Sequence, residues 1–285
     1  MIIWLASYPK SGNTFLRALL TSYFFSKDGI FEFDKLKSIK FFPHINLFKN
    51  LGIDITNENE VLKNYIKVQQ NINERYKNSL FFLKTHSTMQ TINGFSFTDD
   101  KNTLGAIYIV RDPRNVASSY ANHYDTSVEQ SVKDMISKTY LKGMKDYQDF
   151  EENVLTHLGT WSDHYNSWKE LEKSNKYLLI KYEDLVTDTN EVFHNVLQFI
   201  GNLMNKNIKI DYNKFDNAIK TTSFENLQKL EKENGFLESI KYNQKDNITF
   251  FKKGIQRDWK EILPEKLIKE LEMNFLKEMK EIGYL

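Results

Sequence analysis

Four short, uninterrupted apolar runs constrain this chain more than any other feature. They are Ile2-Ile3-Trp4-Leu5-Ala6, Phe81-Phe82-Leu83, Ala106-Ile107-Tyr108-Ile109-Val110 and Tyr177-Leu178-Leu179-Ile180. A strand with one face in water alternates apolar and polar residues. A run that does not alternate needs cover on both faces, as parallel strands between helix layers have. Helical spacing fills the intervals. Phe15, Leu16, Leu19, Leu20 and Tyr23 follow the first run at that spacing, and Pro113 begins a second helix through 120. Further helices are predicted over 154–171, where Trp161, Tyr165 and Trp168 mark the apolar stripe, over 191–200, and largely over 213–232. A C-terminal helix is predicted over 264–282, with Pro264 in its first turn. Alternating strands and helices predict an α/β, three-layer fold with a central parallel sheet flanked by helices. The four prolines and eleven glycines are scattered, with no linker, repeat or low-complexity tract, so residues 1–285 read as one domain. Residues 26–78 and 233–251 are less regular. They read equally well as a substrate entrance or as ordinary connecting structure.

Composition removes several function classes. Lys and Arg total 39 against 38 Asp and Glu, a net charge of +1, which argues against broad electrostatic binding to nucleic acid. The chain has no cysteine, so disulfides, thiolate metal sites and a cysteine nucleophile are excluded. The apolar start is too short for a signal peptide and has no basic segment before it. No stretch approaches the roughly 20 apolar residues of a membrane span. A cytoplasmic location is expected.

The chemistry is expected where the strands end, because ligands of open parallel sheets sit beyond the carboxyl ends. The first strand delivers Lys10, Ser11, Gly12, Asn13 and Thr14. The second delivers Lys84 and His86, the third Arg111, and the fourth Tyr182. Two lysines, an arginine and a helix N-terminus in one crevice make an anion site. Gly12 lets the backbone approach an anion closely, and the following helix start offers N–H groups and a positive dipole end. This is not the nucleotide-triphosphate loop, which needs a glycine five positions before its Gly-Lys-Ser/Thr. Here Lys10 precedes Gly12, and no earlier glycine exists. The shorter loop suits a 5′-phosphosulfate better than a β,γ-diphosphate.

Taken together, these segments resemble the PAPS-dependent sulfotransferase family, in family order and from Tyr8 to Lys260. YPKSGNTF is similar to its 5′-phosphosulfate loop. YIVRDPRNVASSY is similar to its 3′-phosphate segment, which assigns Arg111 and Ser119 to that phosphate. LKTH resembles the segment with the catalytic histidine, here His86. KYEDL resembles the segment whose tyrosine lies near the adenine, here Tyr182. TTSFENL resembles an adenine-side element, here Thr222, Ser223 and Phe224. FKKGIQRDWK resembles the C-terminal RKGxxGDWK element, retaining Lys253 and Gly254. Three departures stand out. Phe15 replaces a common tryptophan of the donor site, Lys252 replaces an arginine and loses its bidentate fork, and Arg257 replaces a glycine. The family's dimerisation motif is not recognisable after this element, which leaves the oligomeric state open.

The resemblance implies a P-loop-like fold and transfer of a sulfuryl group from PAPS to a hydroxyl or amine, with PAP as product and no metal required. It places Lys10 on the leaving group and Lys84 on the sulfuryl oxygens as preorganised positive charge. It makes His86 the general base and lets Ser119 engage the catalytic lysine as well as the 3′-phosphate. A small-molecule acceptor is expected. Phe41, Phe42, Tyr124 and Phe236 are candidate walls of its pocket, and His123 is the second candidate base. Two other functions remain as alternatives. One is a P-loop nucleotide kinase, which needs a strand-end carboxylate for Mg²⁺. The other is a non-catalytic PAP- or nucleotide-binding relative, which would dispense with Lys10 or His86.

Overall fold

The computed structural model describes residues 1–77, 79–137, 139–141, 154–236, 250–251 and 259–285. Five parallel strands form the central sheet: β1 (Ile2–Ser7), β2 (Lys40–Phe41), β3 (Phe81–Thr85), β4 (Thr103–Val110) and β5 (Tyr177–Lys181), in spatial order β2-β3-β1-β4-β5. β1 lies at the centre and every residue in it is buried. Its side chains divide by parity. Ile2, Trp4 and Ala6 join one apolar cluster, with Tyr108, Val116, Trp161, Trp168 and Leu271. Ile3 and Leu5 join the other, with Leu16, Leu19, Ile107, Phe193 and Leu197. Both faces of the strand are therefore dry, which is why the run does not alternate.

The helices that cover the two faces of the sheet include α1 (Asn13–Phe25), α2 (Pro113–His123), α3 (Trp161–Lys169) and α4 (Thr189–Leu203). The Leu16-Leu19-Leu20-Tyr23 stripe of α1 packs on the same face of the sheet as α4. α2, α3 and the C-terminal helices cover the other. Among the described residues, no helix is long and apolar enough to cross a membrane.

The structure corrects two sequence expectations, over 154–171 and 264–282, and adds detail to two more. The segment 154–171 is not one helix. Thr156–Gly159 is a strand paired antiparallel with Thr139–Leu141, and α3 begins only at Trp161. Gly159 sits at φ +65, and Thr160 then caps α3 in a reciprocal capping box with Asp163. The helical segment 213–232 is two helices, Tyr212–Thr221 and Phe224–Asn234, with Ser223 accepting from the Asn226 amide to start the second. The C-terminal segment is also two, Glu265–Asn274 and Leu276–Ile282. Pro264 is the residue before the first turn, and Phe275 breaks the run by turning its buried ring onto Trp161, 5.2 Å away. Finally, residues 26–78 hold the short edge strand β2 as well as helices.

Candidate active site

All five strands point the same way, so their carboxyl ends form one edge. The chain builds β3 on one side of β1 and then crosses to β4 on the other. Ligands of open α/β sheets bind at such a switch point. Lys10, His86, Arg111 and Tyr182 each follow a strand of this edge.

The loop after β1 turns sharply. Lys10 (φ +66) and Gly12 (φ +102) both occupy left-handed backbone. Gly12 is the N-cap of α1, yet no side chain caps that helix and no acidic residue lies in its first turn. The positive end of the helix therefore meets the crevice without a compensating carboxylate of its own. Asn13 faces inward instead, its side-chain NH₂ donating to the Leu5 carbonyl (3.0 Å) and to Ser7 Oγ (3.2 Å). That ties the start of α1 to β1 and fixes the loop from behind.

Arg111 is held in place by the same loop. Its Nη1 donates to the Lys10 carbonyl (3.1 Å), and its guanidinium lies 4.4 Å from the centre of the Tyr182 ring. Tyr182 in turn backs Gly12 so closely that a Cβ there would lie 2.3 Å from its Cδ2. Burial pushes the Tyr182 phenol upward, with the Arg111 charge opposing. Two buried polar atoms in this cluster, Ser11 Oγ and Arg111 Nε, have no hydrogen-bond partner among the described residues. An unmet buried donor costs about 1–3 kcal/mol, and an anion would satisfy both. The donor set therefore fits a phosphate-bearing ligand.

The second half of the site lies at the end of β3. His86 Nδ1 donates to the Ser7 carbonyl (2.7 Å), which in the neutral ring leaves the lone pair on Nε2. Phe41 stands beside both β3 groups, its ring 5.8 Å from Lys84 Nζ and 6.0 Å from the His86 ring. Lys10 Nζ lies 4.0 Å from the centre of the Phe250 ring, and His123 packs on the same ring at 6.0 Å. Lys10, Lys84 and His86 are all only partly buried.

The remaining expected residues are distributed as follows. Thr14 is buried in the first turn of α1, and Ser119 is half-buried on α2. Phe15 and Phe224 pack against one apolar cluster that contains Phe251. Thr222 is fully buried, its hydroxyl donating to the Ala218 carbonyl (2.7 Å), and Ser223 caps the next helix. Lys252, Lys253 and Gly254 lie outside the described residues. Of the candidate pocket walls, Phe41 stands at the site and Tyr124 is half-exposed beside His123. Phe42 is instead fully buried against Trp4, Phe48 and Tyr65, and Phe236 is buried among Phe33, Phe250 and Phe251.

Comparison with known proteins identifies the family. The family model described as Sulfotransferase domain matches residues 2–283. The chain belongs to the sulfotransferase domain family. It is 25% identical to Sulfotransferase 1E1 of Mus musculus over 281 residues, covering 97% of this chain and 83% of the relative. It is 26% identical to Flavonol 3-sulfotransferase of Flaveria bidentis over 276 residues, covering 95% and 79%. Among solved structures, mouse sulfotransferase SULT7A1 complexed with PAP shares the fold at a TM-score of 0.58 and 19% identity, covering 98% of this chain and 84% of that one. Retinol dehydratase in a complex with retinol and PAP does so at 0.61 and 15%, covering 98% and 81%.

Three supporting groups of this sulfotransferase escape a reading of the sequence. Glu183 accepts from the Asp112 amide (3.3 Å) and from the Tyr284 hydroxyl (2.8 Å), joining the ends of β4 and β5. Arg114 binds Asp112 (2.7 Å), Glu272 (2.7 Å) and the Tyr284 carbonyl (2.9 Å). His164 donates from Nε2 to the backbone carbonyl of His86 (3.0 Å). The KYEDL and RDPR segments held a signal for the first two. A histidine inside the Trp161-Tyr165-Trp168 stripe holds none, because that stripe reads as core.

Proposed function

We propose that this chain transfers a sulfuryl group from PAPS to a small-molecule alcohol, phenol or amine in the cytoplasm. The observation that carries the reading is the pairing of buried, unmet donors at Ser11 and Arg111 with a histidine whose lone pair is held on Nε2. The first fits a ligand bearing phosphate and the second fits proton removal. PAP in two solved relatives of the same fold, and flavonol in a relative's name, support the donor and acceptor classes.

PAPS supplies an activated sulfuryl group on a 5′-phosphate leaving group. Ser11 and the start of α1 bind its 5′ end, and Arg111 with Ser119 binds its 3′-phosphate. Lys10 supplies positive charge to the bridging oxygen as the S–O bond breaks, and Lys84 to the sulfuryl oxygens. His86 Nε2 takes the acceptor's proton as the new bond to sulfur forms, a step worth about 10²–10⁴-fold. Phe15 and Phe224 flank the adenine, and Tyr182 supports Gly12 and Arg111 from beneath. Lys252, Lys253 and Gly254 are assigned to binding of the donor by resemblance alone. Asp112, the carboxylate beside Arg111, is turned to Arg114 rather than offered to a kinase's Mg²⁺.

Thermal denaturation with PAP, set against ATP plus Mg²⁺, tests the donor site. PAP is expected to raise the midpoint in the wild type and to lose most of that effect in Arg111→Ala. Stabilisation by ATP-Mg²⁺ alone would overturn the reading. A screen of alcohols, phenols and amines, read by PAP release from PAPS, then tests the acceptor class.

A further inference from the structure

We infer that His164 is a positioning residue for the reaction, acting with Tyr108 through a chain of hydrogen bonds that fixes the His86 base relative to the end of β1. The inference rests on the reading of His86 as general base.

The chain of bonds begins at the end of β1, where the Ser7 carbonyl accepts from His86 Nδ1 (2.7 Å). The Tyr108 hydroxyl contacts His164 Nδ1 (2.8 Å), and His164 Nε2 contacts the His86 carbonyl (3.0 Å).

The direction of every bond follows from the two carbonyls. A carbonyl only accepts, so His164 Nε2 must carry a proton. His164 Nδ1 must then accept if the ring is neutral, so Tyr108 must donate. By the same logic His86 Nδ1 carries its proton and Nε2 keeps the lone pair. With both rings neutral, one arrangement of protons satisfies all three contacts, and it is the arrangement a base at Nε2 requires. A single alternative tautomer at His164 would set two donors or two acceptors face to face.

Burial enforces that choice. His164 is fully buried, and burial pushes its imidazole down to about 3 against the pull of the His86 carbonyl. It therefore stays neutral at any working pH. Its ring also meets the Tyr8 ring edge-on at 5.6 Å, so packing and hydrogen bonding agree on one orientation. Tyr108 is fully buried too, on β4. The four groups come from β1, the residue after β3, β4 and α3, which makes the chain of bonds a brace across the central strands at the edge where the chemistry lies.

A brace of this kind acts on geometry rather than on binding. Displacing a reacting group by about 1 Å costs up to roughly 100-fold in rate. His164→Phe keeps an aromatic ring but removes both nitrogens. It is expected to lower kcat about 10- to 100-fold while PAP affinity stays within about twofold. His164→Gln, which keeps a donor for the His86 carbonyl, is expected to recover much of that loss.

A second readout needs no acceptor and so does not depend on turnover. Imidazole ¹⁵N spectra of the wild type with PAP should show neutral His86 protonated on Nδ1. His164→Phe should show His86 exchanging between tautomers, and Tyr108→Phe should do so to a smaller extent. A wild-type His86 protonated on Nε2, or an unchanged His86 tautomer in a folded His164→Phe protein, would overturn the inference. If the wild type shows the expected tautomer but releases no PAP with any acceptor, the transfer reading fails and the brace stands.

Discussion

A Cβ at Gly12 would meet the Tyr182 ring at 2.3 Å, and the backbone there already sits at φ +102. Gly12→Ala thus faces two penalties, strained left-handed backbone and a displaced tyrosine. The first alone is worth about 1–3 kcal/mol. The second moves the ring on which the Arg111 guanidinium rests. The expected outcome is a lower thermal midpoint together with at least about tenfold weaker PAP binding by titration. Unchanged values for both would show that the loop yields to a side chain more readily than these contacts imply. His164 carries a pH prediction of its own. Its folded pKa of about 3 lies below the ordinary 6.5. Above 6.5 both folded and unfolded states are neutral, and the full stability is present. As pH falls below 6.5 the unfolded chain takes the proton first, so stability drops until the folded pKa is reached. The slope is at most about 1.4 kcal/mol per pH unit. Burial lowers His157 as well, with Glu58 opposing, so it adds in the same direction. Urea unfolding at pH 7 and pH 5 should show the loss, and His164→Gln should flatten it.

At the scale of elements, the legible parts of the fold are those with an unmistakable period. β1 and β4 announce themselves because both faces are covered, and the stripe of α1 because it lies over one of those faces. β2 is two residues long, which is too short for any period to show. The 154–171 segment misleads because the apolar residues of Thr156–Gly159 sit close enough to the α3 stripe to extend it by eye. Only Gly159 and the Thr160 capping box mark the boundary. The site divides in the same way. Lys10, His86 and Arg111 could be expected together, since strand ends of one parallel sheet share an edge. The chain of hydrogen bonds through Tyr108 and His164 could not. Its bonds depend on where a side chain of α3 meets the backbone beyond β3, and no local pattern encodes that meeting.

Across the whole molecule, the C-terminus is fastened to the Arg111 side of the candidate site. Arg114 lies on α2 only three residues after Arg111, and its guanidinium stacks 4.1 Å from the centre of the Trp259 ring. Its partners come from α2's own cap, the helix Glu265–Asn274 and the tail. Burial works against its charge, but Asp112 and Glu272 outweigh that and hold its pKa above the ordinary value. Removing one member of a buried ion pair strands the other, at about 3–5 kcal/mol. Arg114→Met is expected to lower the urea midpoint by that order and to weaken PAP binding, because Asp112 caps the helix that Arg111 precedes. A stable variant with wild-type PAP affinity would show that the tail and the site are independent.

Lys10 rests on Phe250, and the Phe250 and Phe251 amides are both gripped by Glu231, at 2.6 and 2.9 Å. The lysine is therefore already solvated by an aromatic face that is itself anchored. An anion that takes this ammonium takes it in exchange. Its measured affinity is the difference between two attractions, and a ring contact of this kind is worth about 0.5–2 kcal/mol. The same difference acts in reverse on departure, when the ring offers the lysine somewhere to return.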